Sequence, residues 1–286
     1  MANVAWIGAG LLGSAFVEGL CARGDEVTVW NRTASKAEAL TAHGAKVAHS
    51  PGEAARGADR VHLCLSDDAA VDGVLALLEG HLRDGAAIID HTTVSPGGAR
   101  ARQAHLNGRG VPFLACPVFM APANARAASG IMLCAGEREL IEQSTPLLSA
   151  MTGKLLTYGQ DAGVAATMKL VGNALIISLS GALADALSFA QESGVPPEDA
   201  IKLFEDFNIA GAMGRGKRMA TGNYKPSFEL SMAQKDLRLM IEAAGELPLG
   251  VLPGLHARMG ELIAAGHGQD DLAVLARDVI PKKTDA

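Results

Sequence analysis

The sequence predicts an α/β chain with a doubly wound, mostly parallel sheet in its N-terminal half and an all-α C-terminal half, joined by one long inter-domain helix. Three observations predict it. From residue 1 to about 160, short apolar runs alternate with helical segments, the pattern of strands connected through helices. The first run enters a glycine-rich turn that opens a helix. After Asp161 the strand signals vanish.

Taken in order, Val4-Ala5-Trp6-Ile7 is the first strand and Leu11 to Arg23 the first helix. Between them, Gly8-Ala9-Gly10-Leu11-Leu12-Gly13 spells G-x-G-x-x-G. In this setting the first glycine allows a tight turn and the second lets backbone approach a pyrophosphate. The third lets helix pack close to strand, with the phosphates at the helix N-terminus. The turn marks a dinucleotide-binding domain of Rossmann type. Glu26 to Trp30 is the second strand. Further strands are expected at Val47-Ala48, Arg60 to Leu65, Ala86 to Asp90, Val111 to Ala115, Ile131 to Ala135 and Leu155 to Tyr158. A long apolar helix from about Gly163 to Ser193 follows, then shorter helices near Pro197 to Phe207, Met232 to Gly245 and Gly250 to Gly266, separated by Gly and Pro breaks. The expected domains are residues 1–161, binding the cofactor, and 162–286, serving substrate and subunit contact.

Composition narrows the class. With 286 residues, 49% hydrophobic and 20% charged, the chain can fill two cores. A net charge of −6 argues against a nucleic-acid surface, and the longest basic cluster, Pro281-Lys282-Lys283, falls in a tail expected to fray. Cys21, Cys64, Cys116 and Cys134 lack C-x-x-C spacing, so neither a metal site nor a disulfide framework is expected, and a reducing cytoplasmic setting fits. With a strand predicted from residue 3, no signal peptide is expected. Leu170 to Leu187 is apolar enough to suggest a membrane span, but Asn173, Ser178, Ser180 and Asp185 interrupt it. The expectation is a helix buried between domains or subunits, with no membrane partner.

Cofactor sites in open α/β sheets form at the carboxyl ends of the strands. After the second strand stands Asn31-Arg32-Thr33, where NAD-binding proteins usually carry Asp or Glu. A carboxylate would repel a 2′-phosphate, whereas Arg32 can pair with it through two hydrogen bonds and Asn31 and Thr33 can add neutral ones, so NADP is the predicted cofactor. Cys64-Leu65-Ser66 and Asp90-His91-Thr92-Thr93 end later strands and complete the expected cleft. Thr93 is expected at the site, while Ser95, before Pro96, suits a helix N-cap. Lys169 and Asn173 are four apart on the long helix and share one face. A lysine among Met168, Leu170 and Val171 is either snorkelling or held in a cleft, and the pattern alone favours snorkelling.

Together the glycine turn, Asn31-Arg32-Thr33, Thr92-Thr93-Val94-Ser95-Pro96, the spacing from Gly159 and Gly163 to Lys169 and Asn173, and Ala233-Gln234-Lys235-Asp236-Leu237 resemble the β-hydroxyacid dehydrogenase family. That family includes 3-hydroxyisobutyrate dehydrogenase and NADPH-dependent glyoxylate and succinic semialdehyde reductases. The resemblance implies hydride exchange between NADPH and a small carbonyl or hydroxy compound, such as a short semialdehyde, a glyoxylate-like acid or a β-hydroxy acid. It implies Lys169 as general acid/base, Asn173 orienting the substrate and Thr93 at the nicotinamide end. Lys235 would reach the cofactor from the second domain, with Asp236 beside it toward substrate. Subunits would associate through the helical halves as a homodimer or dimer-based oligomer.

One segment departs from the family pattern. Where the family reads Asp-x-Pro-Val-Ser-Gly-Gly, this chain has Ala115-Cys116-Pro117-Val118-Phe119-Met120-Ala121. Pro117 and Val118 match, but Phe119 and Met120 add bulk where a serine and a glycine bind a carboxylate. Thr92 remains as one hydroxyl for an acid group. Two other readings follow: an imine reductase with an apolar pocket around Phe119 and Met120, or a non-catalytic NADP-binding scaffold.

Overall fold

The computed structural model describes residues 2–206 and 210–280; Phe207 and the Pro281-Lys282-Lys283 cluster lie outside them. The chain divides into two compact units, Met1–Asn173 and Ala174–Ala286.

The first unit holds a nine-stranded sheet: β1 (Asn3–Ile7), β2 (Glu26–Trp30), β3 (Lys46–Val47), β4 (Arg60–Leu63), β5 (Ala87–Asp90), β6 (Phe113–Ala115), β7 (Val118–Phe119), β8 (Ile131–Gly136) and β9 (Lys154–Thr157). Their order is β3-β2-β1-β4-β5-β6-β8-β7, with β9 on β8. The strands β1 to β6 run parallel, and β8 pairs antiparallel with β6 and β7. The crossovers are α1 (Leu11–Ala22), α2 (Ala34–Glu38), α3 (Pro51–Ala55), α4 (Asp68–Leu78) and α5 (Pro96–Asn107). Helices α6 (Pro122–Arg126) and α7 (Arg138–Ser149) serve the antiparallel edge. The chain leaves β1 toward β2 on one side and returns to β4 on the other, so a crevice opens at the carboxyl ends of β1 and β4.

Side chains alternate across β1. Val4 and Trp6 enter one core with Phe16, Leu20 and Met132, whereas Ala5 and Ile7 enter the other with Leu63, Ile88 and Phe113. Both sheet faces are covered, which is why β1 reads as a continuous apolar run. The segment from Pro117 to Pro122, where no strand is expected from the sequence, contains β7, which the pairs Val118–Met132 and Phe119–Ile131 hold against β8. Its two residues acquire strand geometry from a partner far along the chain.

Helix α8 (Ala162–Glu192) runs unbroken for 31 residues from the first unit into the second. It is long and apolar enough to cross a membrane, with mean hydropathy 1.7 over 18 residues. Yet Asp185, within it, is buried and accepts the N–H groups of Gly250, Val251 and Leu252 at 2.8, 2.7 and 2.9 Å. Burial opposes its charge, and these three bonds overcome that and hold the carboxyl below its ordinary range. The carboxylate thereby caps the start of α13 (Leu252–Leu262). Elsewhere on α8, Leu175, Ile176, Ile177 and Leu179 are exposed.

One helical expectation is corrected in the second unit, and one further helix is not among those expected. The single helix expected near Pro197 to Phe207 is two short ones, α9 (Pro197–Ala200) and α10 (Leu203–Asp206). Between them the N–H groups of Lys202, Phe204 and Glu205 bond three residues back, which tightens the turns and breaks the α pattern. Helix α11 (Ala210–Thr221) carries no helical signal, because Gly211, Gly214 and Gly216 are poor helix formers. A tertiary bond supports it: Arg218 donates to the buried Asp271 carboxylate at 2.7 Å. Helix α12 (Leu230–Ala244) packs with α13 through Leu230, Leu237, Leu252 and Met259.

Candidate active site

The three glycines after β1 serve different ends. Gly8 holds φ at +107°, and a Cβ there would lie 2.2 Å from the Cys64 carbonyl oxygen. At Gly13 a Cβ would lie 2.0 Å from the Gly8 carbonyl oxygen. At Gly10 it would meet nothing within 4 Å. The protein's own packing demands the first and third glycines, while the second borders open space. Helix α1 starts there with no side-chain cap and no acidic residue in its first turn, so its leading N–H groups and positive dipole end are left for a ligand.

That space is a cleft of about 730 Å³. Its wall gathers most of the expected cofactor residues: Gly8, Gly10, Leu11, Leu12 and Gly13 from the turn, Asn31, Arg32 and Thr33 after β2, Cys64, Leu65 and Ser66 after β4, and Thr93 after β5; Thr92, expected at the substrate, lines it too. Ala9 is buried behind it and donates its N–H to Asn31 Oδ1 at 2.9 Å. Asn31 Nδ2 donates onward to the Thr33 carbonyl at 2.9 Å, so this carboxamide braces the turn against the end of β2. Arg32 is exposed and has no ion pair among the described residues. Lys36, four residues on, also lines the cleft. The sequence reading does not single it out, although it follows Arg32 by only four residues. The residues present fit a dinucleotide phosphate: open space at Gly10, an uncapped helix start, and two cations, Arg32 just after β2 and Lys36 in α2.

The end of β5 is more tightly built. Thr92 is buried; its Oγ1 accepts the Leu65 N–H at 3.1 Å and its own N–H donates to Asp90 Oδ1 at 2.8 Å. Burial pushes the Asp90 carboxyl up to about 6, against the pull of its Thr92 hydrogen bonds. Burial, with Asp90 nearby, pushes the Cys64 thiol up to about 12, so it is neutral. Ser95 caps α5, accepting the Gly98 N–H at 3.1 Å ahead of Pro96.

The lysine lies in a second cluster. Lys169 Nζ donates to Asn173 Oδ1 at 2.9 Å and sits 4.0 Å from the centroid of the Phe119 ring. Phe119 fits there because position 172 is glycine: a Cβ on Gly172 would fall 2.3 Å from the ring's Cζ. Burial lowers the lysine's pKa below its ordinary value. The head group is held by a carboxamide and an aromatic face, which is more than snorkelling requires. Pro117 accepts the Leu133 N–H at 2.9 Å and Val118 is buried, so these two anchor the strand. Met120 packs beside Gly130. In the second unit, Lys235 pairs with Asp236 on α12 at 2.8 Å.

Residues 3–159 match the family described as the NAD binding domain of 6-phosphogluconate dehydrogenase, and residues 163–277 the one described as NAD-binding of NADP-dependent 3-hydroxyisobutyrate dehydrogenase. The chain belongs to the β-hydroxyacid dehydrogenase family. It is 32% identical over 249 residues to glyoxylate/succinic semialdehyde reductase 1 of Arabidopsis thaliana, across 85% of this chain and 86% of that protein. To 3-sulfolactaldehyde reductase of Escherichia coli (strain K12) it is 28% identical, across 98% and 96%. The human cytokine-like nuclear factor N-PAC is 32% identical across 84% of this chain, which spans 44% of that protein. The solved imine reductase from Myxococcus stipitatus in complex with NADP+ superposes with a TM-score of 0.87 at 25% identity, covering 97% of this chain and 100% of that one. Membership makes the chain an NAD(P)-dependent oxidoreductase.

Proposed function

We propose that this family member reduces a small carbonyl compound with NADPH, and that Lys169 protonates the substrate oxygen. The observation that carries the reading is the Lys169 ammonium, held by Asn173 and faced by Phe119. NADPH in the cleft supplies the hydride. As negative charge develops on the substrate oxygen, an ammonium within hydrogen-bond reach stabilises it and then gives up a proton. Asn173 orients the ammonium by accepting one of its three N–H groups, and burial brings the lysine closer to the operating pH. Arg32 and Lys36 favour NADPH over NADH through the 2′-phosphate.

Phe119 supports a substrate without a carboxylate, since a ring occupies the place of the family's serine. Phe119 and Met120 favour imine reduction as a second reading, because an apolar wall suits a substrate that carries no carboxylate. A panel of aldehydes, ketones and imines, with and without carboxylates, tests both by NADPH oxidation. Lys169→Ala should lower kcat by about 100-fold or more while NADPH affinity stays within about twofold; unchanged turnover removes the lysine from the chemistry. Tight NADPH binding with no oxidation across the panel would point to a non-catalytic scaffold. The exposed apolar residues of α8, Leu175, Ile176, Ile177 and Leu179, are proposed to be covered by a second copy of the chain. Sedimentation as a monomer would overturn that.

A further inference from the structure

Two histidines that this mechanism leaves unused lie at the centre of the first unit. His62, on β4, is 0% exposed, and His91, just after β5, is 3% exposed. Arg60 Nε donates to His62 Nε2 at 3.1 Å, His62 Nδ1 lies 2.9 Å from His91 Nε2, and His91 Nδ1 lies 2.8 Å from the carbonyl oxygen of Cys116. Both ends of this chain have a fixed direction. A guanidinium only donates, so His62 Nε2 is a lone pair and the ring's proton sits on Nδ1. A carbonyl oxygen only accepts, so His91 also carries its proton on Nδ1 and offers Nε2 to His62. The two requirements agree, and every ring nitrogen is used when both rings are neutral. A second proton on His91 would oppose the His62 N–H; one on His62 would oppose the guanidinium. Burial acts in the same sense, holding His62 well below the ordinary histidine range and His91 at about 4.

The rings are clamped as well. They are 13° from coplanar, as an in-plane N–H···N bond requires. The Trp6 indole lies against both, with centroids 5.0 and 5.5 Å away, and Phe16 closes on His91 at 5.4 Å. Trp6 Nε1 in turn donates to the Gly8 carbonyl at 3.0 Å. One end of the cluster therefore grips the glycine turn. The other satisfies the carbonyl of the fully buried Cys116, three residues before Phe119.

We infer that His62 and His91 are positioning residues: their one-way hydrogen-bond chain sets the Cys116 carbonyl, and with it the strand that brings Phe119 to Lys169, relative to the glycine turn. The inference rests on the reading of Lys169 and Phe119 as the substrate corner.

The tautomers are tested first, without reference to turnover. In ¹⁵N-histidine spectra of the full chain, with His62→Asn and His91→Asn assigning the signals, both rings should be neutral with the proton on Nδ1 at pH 7. An Nε2–H tautomer or an imidazolium on either ring overturns the inference. With a substrate from the panel, His91→Leu should lower kcat/KM by about tenfold or more, the pattern of a displaced substrate wall; because His91 also lines the dinucleotide cleft, NADPH affinity is read in His62→Leu, where it should change less than about twofold. His91→Asn, whose Nδ2 takes the place of Nδ1, should recover most of that loss. Equal losses in the two His91 variants, or a fall in NADPH affinity in His62→Leu, assign the rings to packing alone and overturn it too. Where His91→Leu does not fold, His62→Leu serves, since it frees the His91 tautomer. Its effect should vanish in the His91→Asn background, because an amide cannot tautomerise; full additivity overturns the inference. A panel without any substrate sinks the Lys169 reading, and the tautomers still decide the chain.

Discussion

The proposed nucleotide end and the proposed substrate corner of the first unit are built in opposite ways. At the glycine turn, recognition rests on what is absent: no Cβ at Gly8 or Gly13, open space beyond Gly10, no cap on α1. At Lys169 it rests on filled space, with Phe119 packed on Gly172 and over the ammonium. The first site is written in backbone within six consecutive residues. The second is written in side chains from β7 and α8. A backbone cradle binds one ligand class whatever surrounds it, whereas a side-chain corner is retuned by a single substitution. The relatives fit that division: they are named for different substrates, glyoxylate and succinic semialdehyde in one and 3-sulfolactaldehyde in the other.

The largest effect should come from separating the glycines. Gly13→Ala forces a Cβ onto a backbone oxygen, so α1 must move off β1, at a cost of about 1 to 3 kcal/mol or more, and NADPH binding should be lost. Gly10→Ala has room in the protein. It should change stability by less than about 1 kcal/mol yet weaken NADPH binding at least about tenfold, because the methyl enters the ligand's space. Calorimetry and NADPH titration distinguish the two. Equal destabilisation would abolish the contrast between packing and ligand glycines.

Charge at the end of β2 comes next. Arg32→Ala should reduce the preference for NADPH over NADH by about 10- to 100-fold, the worth of a charged hydrogen bond, and leave NADH affinity alone. An unchanged preference would mean that the nucleotide end does not read the phosphate through this residue. Phe119→Ser should shift the ratio of carboxylate-bearing to neutral substrates by about tenfold, since it opens space and restores a hydroxyl. If the ratio stays put, the substrate corner is not where substrates are told apart.

The same contrast governs what sequence reading could reach. The glycine turn, Arg32, the Ser95 cap and the Lys169–Asn173 pair are local patterns with fixed spacing, and each lies in the element expected of it. Phe119 against Gly172 is not local, and neither is Asp185 capping α13. Both depend on pairings between distant segments. His62 looks like a polar interruption in an apolar strand, and only the register of β4 beside β5 brings it to His91. Helix α11 is hidden by its glycines, and Lys36 was legible but overlooked.

The smallest expected effect separates two neighbours at the end of β5 by the sign of a pH slope. Asp90 has a raised folded pKa of about 6, so its contribution to stability is complete below the ordinary carboxyl value and is lost as pH rises toward 6. His91 has a depressed one of about 4, so its contribution is present above 6.5 and is lost as pH falls toward 4. His62 acts in the same sense as His91. The two histidines outweigh the single carboxyl, and the protein should lose stability on acidification through this window. Asp90→Asn removes the opposing contribution and should steepen that loss, while His91→Asn should flatten it, each by up to about 1 kcal/mol per pH unit. Urea unfolding across the window reads the slopes directly. Two variants that move the slope in the same direction would show that one of these groups is not held in the ionisation state its burial requires.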